Sequence, residues 1–249
     1  MLKISAIPIF TDNYIWVLEQ NHKVIAVDPG DAAPLQAWLS AQHCTLAGIL
    51  ITHHHADHTA GLADLAQDGL PIYGPAAIRY INRPLLGGES LTLLGENFRV
   101  LATPGHTLDH LCYYGAGALF SGDTLFSGGC GRVFEGSMAQ MYQSLQTLSQ
   151  LPSQTLVCCT HEYTMSNLQF ALTIEPENTA LQSRAAEVAQ LRAAEQFSLP
   201  STLSIELASN PFLRCNEPAV IKMAQQHNPN ANSPAQVFAS LREWKNNFR

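Results

Sequence analysis

Ile49-Leu50-Ile51-Thr52-His53-His54-His55-Ala56-Asp57-His58 is the stretch on which the fold turns. Its apolar start has the composition of a buried strand, and it runs directly into four imidazoles and a carboxylate. Side chains on a strand alternate faces, so His53 and His55 point one way and His54 the other, and a turn beyond them returns Asp57 and His58 to the first side. Neutral imidazole and carboxylate suit Zn²⁺, Fe or Mn²⁺, and a donor set without thiolate is of the catalytic rather than the structural zinc type. An isolated pair of histidines would read as a surface feature. Here three further candidates each end a strand pattern: His106 after Thr103-Pro104-Gly105, Asp123 in Ser121-Gly122-Asp123-Thr124, and His161 after the apolar run 156–159. Strand ends in a layered α/β fold are where sites gather. Seven donors are too many for one tetrahedral ion and suit two ions, provided one carboxylate bridges.

Working outward, residues 23–27, 48–51, 98–102, 111–114, 118–120 and 155–159 are short β-rich runs separated by Gly and Pro. Ser137 reads as the N-cap of a helix whose Met138, Met141, Tyr142, Leu145 and Leu148 form a buried stripe. After His161 the texture changes. Residues 178–196 are rich in Ala, Glu, Gln, Leu and Arg, and Ser233-Pro234 opens a helix running to about Asn247. These patterns predict two domains, 1–164 and a helical 165–249 packed upon it.

The 249 residues are 46% apolar and 13% charged, a globular composition, and no apolar run reaches the ~18 residues that a membrane span needs. The amino terminus passes into a strand-like stretch without a signal-like apolar segment, so a cytoplasmic location is expected. Six cysteines without C-x-x-C spacing read as reduced, mostly buried thiols. A net charge of −7, from 13 basic and 20 acidic residues, disfavours polyanions, so no nucleic-acid partner is expected. An anionic ligand then needs a few local cations.

Thr52-His53-x-His55-x-Asp57-His58, followed by Pro104-Gly105-His106-Thr107, Gly122-Asp123-Thr124 and Thr160-His161-Glu162-Tyr163, resembles the metallo-β-lactamase superfamily. Within it the chain is similar from end to end to the glyoxalase II (hydroxyacylglutathione hydrolase) family. The resemblance implies an αββα sandwich with a carboxy-terminal helical domain. It also implies that His53, His55 and His106 hold one ion, that Asp57, His58 and His161 hold a second, and that Asp123 bridges them. The implied reaction is hydrolysis of the thioester S-D-lactoylglutathione to D-lactate and glutathione by a metal-bridged hydroxide, with Asp57 able to orient that hydroxide besides binding metal. The ions are expected to be zinc, with iron or manganese as alternatives.

Glutathione is anionic, and Arg242-Glu243-Trp244-Lys245 matches the family's Arg-x-x-Lys on the last helix, where Arg242 and Lys245 share a face. Tyr163 matches a substrate-binding tyrosine. The stretch from Gly128 to Gly136 resembles the glutathione-binding loop, with Arg132 and Phe134 where some members carry Lys and Tyr. Phe134 has no hydroxyl to offer, and Cys130 reads as a packing residue. His110, four residues after His106, is a candidate for orienting a ligand, whereas Asp28 and Asp31 flank a Pro29-Gly30 turn and read as turn formers. A glutathione persulfide dioxygenase, a nuclease and a lactonase on the same scaffold are the competing activities, and a non-enzymatic zinc-binding protein is the remaining class. A monomer is expected.

Overall fold

The computed structural model describes residues 2–248, so residues 1 and 249, the outer limits of the two expected domains, lie outside the described residues. The chain forms two compact units. One contains the described residues up to Thr103 with Asp109–Gly122 and Cys158–His161; the other contains Pro104–Leu108, Asp123–Val157 and the described residues from Glu162 onward.

The first unit opens with β1 (Lys3–Ile9), β2 (Asn13–Gln20) and β3 (Lys23–Val27), an antiparallel meander in which Ile4 pairs with Leu18 and Leu18 with Ile25. Helix α1 (Ala32–Ala41) then carries the chain over to β4 (Thr45–Leu50), which lies parallel to β3, as a crossover helix allows and a tight turn does not. Asp31 starts α1 by accepting from the amide of Ala33. The short helices α2 (Ala56–Thr59) and α3 (Leu62–Leu65) precede β5 (Ile72–Pro75) and β6 (Arg83–Leu85), which complete a six-stranded sheet in sequence order.

Alternate residues of this sheet, Ile15 and Val17, Val24 and Ala26, and Ile49 with Ile51 just past the end of β4, pack with Leu35 of α1 and Leu62 and Leu65 of α3. The intervening Trp16, Leu18, Ile25, Val27 and Leu50 are buried as well, so both faces are covered. That explains why the end of β4 and the residue after it, Ile49-Leu50-Ile51, read as an unbroken apolar run. Each such Val, Leu or Ile side chain contributes about 1.5–3 kcal/mol on burial. The second sheet runs through β7 (Ser90–Leu93), β8 (Glu96–Ala102), β9 (Leu111–Gly115) and β10 (Ala118–Gly122), all antiparallel, with Leu101 opposite Cys112 and Phe120 opposite Tyr113. The Tyr113 hydroxyl donates to the carbonyl of Ile51 at 2.6 Å, tying this sheet to the first.

The second unit holds the hairpin β11 (Leu125–Phe126) and β12 (Gly129–Cys130), then α4 (Met138–Ser149). Ser137 and Gln140 form a reciprocal capping box at the start of α4, and Met141, Leu145 and Leu148 are buried along it while Met138 and Tyr142 are half-buried. Strand β13 (Leu156–Cys159) pairs through Leu156 and Val157 with β14 (Ser201–Thr202). Around them lie α5 (Thr164–Ile174), α6 (Thr179–Ala193), α7 (Leu203–Ser209), α8 (Pro218–His227) and α9 (Pro234–Asn247). Asn178 caps α6, and Ser233 with Gln236 caps α9, whose first residue is proline. Five of the six cysteines are buried thiols and Cys44 is half-buried. Among the described residues no helix is long and apolar enough to cross a membrane.

Candidate metal centre

Two neighbouring parallel strands end at the site: β3 at Val27, one residue before Asp28, and β4 at Leu50, two residues before Thr52. Asp28 is buried in the left-handed region at φ 51°, a strained conformation for a residue with a Cβ. What holds it there is a dense set of bonds. Its amide donates to the carbonyl of Leu50 at 3.0 Å, and its carboxylate accepts from the Thr52 amide at 2.8 Å and the Thr52 hydroxyl at 2.7 Å. The same oxygen that receives the hydroxyl lies 3.0 Å from Nδ1 of His58.

This arrangement fixes two imidazoles. A carboxylate only accepts, so His58 donates from Nδ1 and turns its buried Nε2 lone pair the other way. The Thr52 hydroxyl has spent its proton on Asp28, so at 3.0 Å from Nδ1 of His53 it can only accept there, and His53 takes the same tautomer. Nε2 of His53 lies 3.0 Å from Nδ1 of His55, and the ring of His53 lies 4.1 Å from that of His58. His54 is elsewhere, bonded to Asp109 at 3.0 Å and exposed, as the alternation of the strand end requires. His110 is buried, bonded to Thr103 at 2.9 Å and stacked on His53 with ring centroids 4.9 Å apart, so it restrains that ring by contact.

Asp57 and His58 sit in the first turn of α2, where Gly30 makes room for them. A Cβ at Gly30 would lie 1.8 Å from the carbonyl oxygen of Asp57, a distance only glycine tolerates. His161 follows β13 and donates from Nδ1 to Asp12 at 2.9 Å. Donor atoms of Asp57, His58 and His161 all lie within 4.8 Å of one another. Nε2 of His58 and Nε2 of His161 each face the same Asp57 oxygen at 3.5 Å. Lone pair then confronts carboxylate oxygen, a juxtaposition a cation between them turns from repulsive to favourable, so these residues fit a divalent metal ion.

The second unit repeats the motif. Nδ1 of His106 donates to the carbonyl of Arg132 at 2.8 Å, and Nε2 lies 3.4 Å from an oxygen of Asp123. Gly131 permits this closeness, since a Cβ there would stand 1.9 Å from the Asp123 carbonyl. The first unit therefore brings together His53, His55, Asp57, His58 and His161, and the second sets His106 beside Asp123. Imidazole and carboxylate donors of this kind suit divalent metal ions.

His106 and Asp123 also line a cavity of about 440 Å³ whose wall includes Arg132, Phe134, Tyr163 and, from α9, Arg242 and Lys245. Its cations are close enough to affect one another. Burial, then the charges of Arg242 and Arg132, hold the Lys245 ammonium below the usual lysine range. Phe134 is 62% exposed and meets His106 edge-on at 5.2 Å, while Tyr163 meets Phe126 edge-on at 5.5 Å. Cys130 is buried, and burial raises its thiol above the usual cysteine range although Arg242 pulls the other way.

Asp12 and Asp28 are the functional residues that motif reading passes over. Each grips its histidine across a long sequence separation, so no local spacing marks the pair; the Pro29-Gly30 turn masks Asp28 further. The only available signal was the position of Asp28 at a strand end.

Comparison with known proteins agrees with this geometry. The carboxy-terminal stretch 162–248 matches the family described as "Hydroxyacylglutathione hydrolase C-terminus", 68–161 matches the "Metallo-beta-lactamase superfamily", and 24–107 matches a "Beta-lactamase superfamily domain". The hydroxyacylglutathione hydrolase of Idiomarina loihiensis is 51% identical over 99% of this chain and 100% of its own length. Among solved structures, the B3 metallo-β-lactamase BLEG-1 has a TM-score of 0.65 at 24% identity, covering 85% of this chain and 99% of its own. The protein TTHA1623, solved in a di-iron-bound form, has a TM-score of 0.60 at 25% identity, covering 85% and 100%. Full-length likeness, fold and donor sets converge: the chain belongs to the hydroxyacylglutathione hydrolase family of the metallo-β-lactamase superfamily.

Proposed function

We propose that this protein hydrolyses S-D-lactoylglutathione to D-lactate and glutathione, the thioesterase step of methylglyoxal detoxification. The observation that carries the proposal is the 51% identity, over essentially the whole of both chains, to a protein named hydroxyacylglutathione hydrolase. In this reading His53, His55 and His106 hold one divalent ion, Asp57, His58 and His161 hold a second, and Asp123 bridges. Zinc is the metal proposed, because imidazole and carboxylate without thiolate suit a catalytic zinc site. When bound, such ions supply hydroxide at neutral pH and polarise a carbonyl.

The residues of the chain do the rest. Asp28, Thr52, Asp12 and the Arg132 carbonyl hold the imidazoles in the tautomer that offers Nε2. Asp57 accepts from Nδ2 of the Asn13 side chain at 2.9 Å and is half-exposed, which suits a group that orients the attacking water as well as binding metal. Arg132, Phe134, Tyr163, Arg242 and Lys245 are the proposed glutathione site, the cations receiving its carboxylate. The leaving thiol titrates near the usual value of about 8.5, so a strong general acid is unnecessary. We further propose a monomer in the cytoplasm, where thiols such as Cys112, Cys158 and Cys159 stay reduced, with a catalytic domain over 1–164 and a helical substrate-binding domain over 165–249.

Thiol release from S-D-lactoylglutathione, with metal analysis on the same sample, tests this. Turnover by protein carrying about two ions is expected. Metal-replete protein that leaves this thioester intact while cleaving other esters would overturn the substrate assignment.

A further inference from the structure

We propose that Arg242 is a positioning residue for the metal ligand His106, acting through the backbone of residues 130–132, rather than a side chain whose work is confined to holding the substrate carboxylate. This deepens the metal-site reading above and rests on it. Arg242 is 4% exposed, and its Nη1 donates to the carbonyl of Cys130 at 2.7 Å. The guanidinium carbon lies 5.2 Å from the ring centre of Phe212, and Nε donates to Asn246 at 3.2 Å, so the side chain is held on several sides.

Two residues beyond Cys130, the carbonyl of Arg132 receives Nδ1–H of His106. Little slack separates the two bonds. Gly131 donates its amide to the Thr124 carbonyl at 3.3 Å, and its Cα is pressed so closely on Asp123 that no Cβ fits. The chain just before this segment is pinned as well, since Nδ2 of Asn210 donates to the carbonyl of Gly129 at 2.9 Å and to that of Phe126 at 3.2 Å. A segment fastened by Arg242 and Asn210 thus presents the acceptor that aims His106. Lys245 differs. It is half-buried, reaches the Ser166 carbonyl at 3.3 Å and has no bond to the segment, so its charge is available to a ligand in the cavity.

The test uses the full chain and four variants, Arg242→Met, Arg242→Lys, Asn210→Ser and Lys245→Met. Three quantities are measured: kcat and KM for S-D-lactoylglutathione, affinity and absorption spectrum with Co²⁺ in place of the native metal, and the Nδ1–H resonance of His106 in metal-free protein. Outer partners of metal-bound histidines are worth about 10–100-fold in metal affinity or activity. Both Arg242 variants are therefore expected to lower Co²⁺ affinity about 10-fold or more, to lower kcat more than they raise KM, and to shift or broaden the His106 resonance. Asn210→Ser should move the same readouts without touching the cavity wall, and Lys245→Met should raise KM with the Co²⁺ spectrum and the His106 resonance unchanged. Arg242 variants that raise KM alone, with wild-type Co²⁺ affinity and resonance, would overturn the proposal. Should Arg242→Met not fold, Arg242→Lys and Asn210→Ser decide it by the same criteria. Wild-type protein that fails to bind Co²⁺ would instead sink the metal reading, and the resonance in metal-free protein would still report on the coupling.

Discussion

At the scale of single residues, Asp28 acts on two of the proposed ligands at once. Its carboxylate serves both the Thr52 hydroxyl that fixes His53 and the Nδ1–H of His58, so one substitution disturbs two imidazoles. Asp28→Asn is the informative change, because asparagine tolerates the left-handed backbone while placing an NH₂ where acceptors are required. We expect a loss of about 10–100-fold in activity or metal affinity, read by steady-state kinetics and metal titration. The stability cost should be about 1–3 kcal/mol, read by urea unfolding of the metal-free protein. Lys245 gives a second residue-level prediction. Burial and two neighbouring arginines favour its neutral form, so the group is charged at low pH and loses its proton before an ordinary lysine would. KM should therefore rise with pH below the usual lysine value of about 10.4, and Lys245→Arg should flatten that rise because arginine keeps its charge. A KM profile unchanged by Lys245→Arg would remove Lys245 from carboxylate binding.

At the scale of elements, what was legible in the sequence is what is locally encoded. Ser137 with Gln140 and Ser233 with Gln236 are capping boxes whose partners lie three residues apart, and α4 and α9 begin there. The β4 run and its histidines were readable for the same reason, since alternation along one strand separates His53 and His55 from His54. β2 was not, because Asn13–Gln20 is buried along six of its eight residues and shows no clean alternation. The partners Asp12 and Asp28 were hidden because their meaning lies in contacts made far along the chain. Glycines sit between these cases: Gly30 looks like a turn former, yet its smaller role is the turn and its larger one is the approach of Asp57. Gly30→Ala must push the start of α2 away, and a misplacement of about 1 Å costs about 100-fold in rate. The variant should therefore lose activity well beyond its loss of thermal stability, which calorimetry and kinetics on one preparation would compare.

At the scale of the whole molecule, the carboxy-terminal helices do more than supply cations. The β11–β12 hairpin follows directly on Asp123, and it is fastened by buried polar side chains from α5 and α7 and from the segment after α7. Glu206 accepts from the Ser127 hydroxyl at 2.9 Å and the Gly128 amide at 2.7 Å, Asn167 donates to the Ser127 carbonyl at 3.2 Å, and Asn210 holds both strands. Each of these is a buried bond whose loss strands its partner, at about 1–3 kcal/mol apiece. A chain ending at residue 161 keeps all seven proposed ligands and loses every one of these fastenings. If the helices served only to bind glutathione, that truncated chain would keep its metal and hydrolyse simple activated thioesters at the rate of the full protein. If the helices also hold the hairpin that follows Asp123, the truncated chain should bind Co²⁺ at least about 10-fold more weakly and fail on simple thioesters and glutathione thioesters alike. We expect the second outcome. Metal titration and hydrolysis of a thioester lacking the glutathione moiety separate the two, and full retention of both by the truncated chain would show the hairpin to be self-supporting.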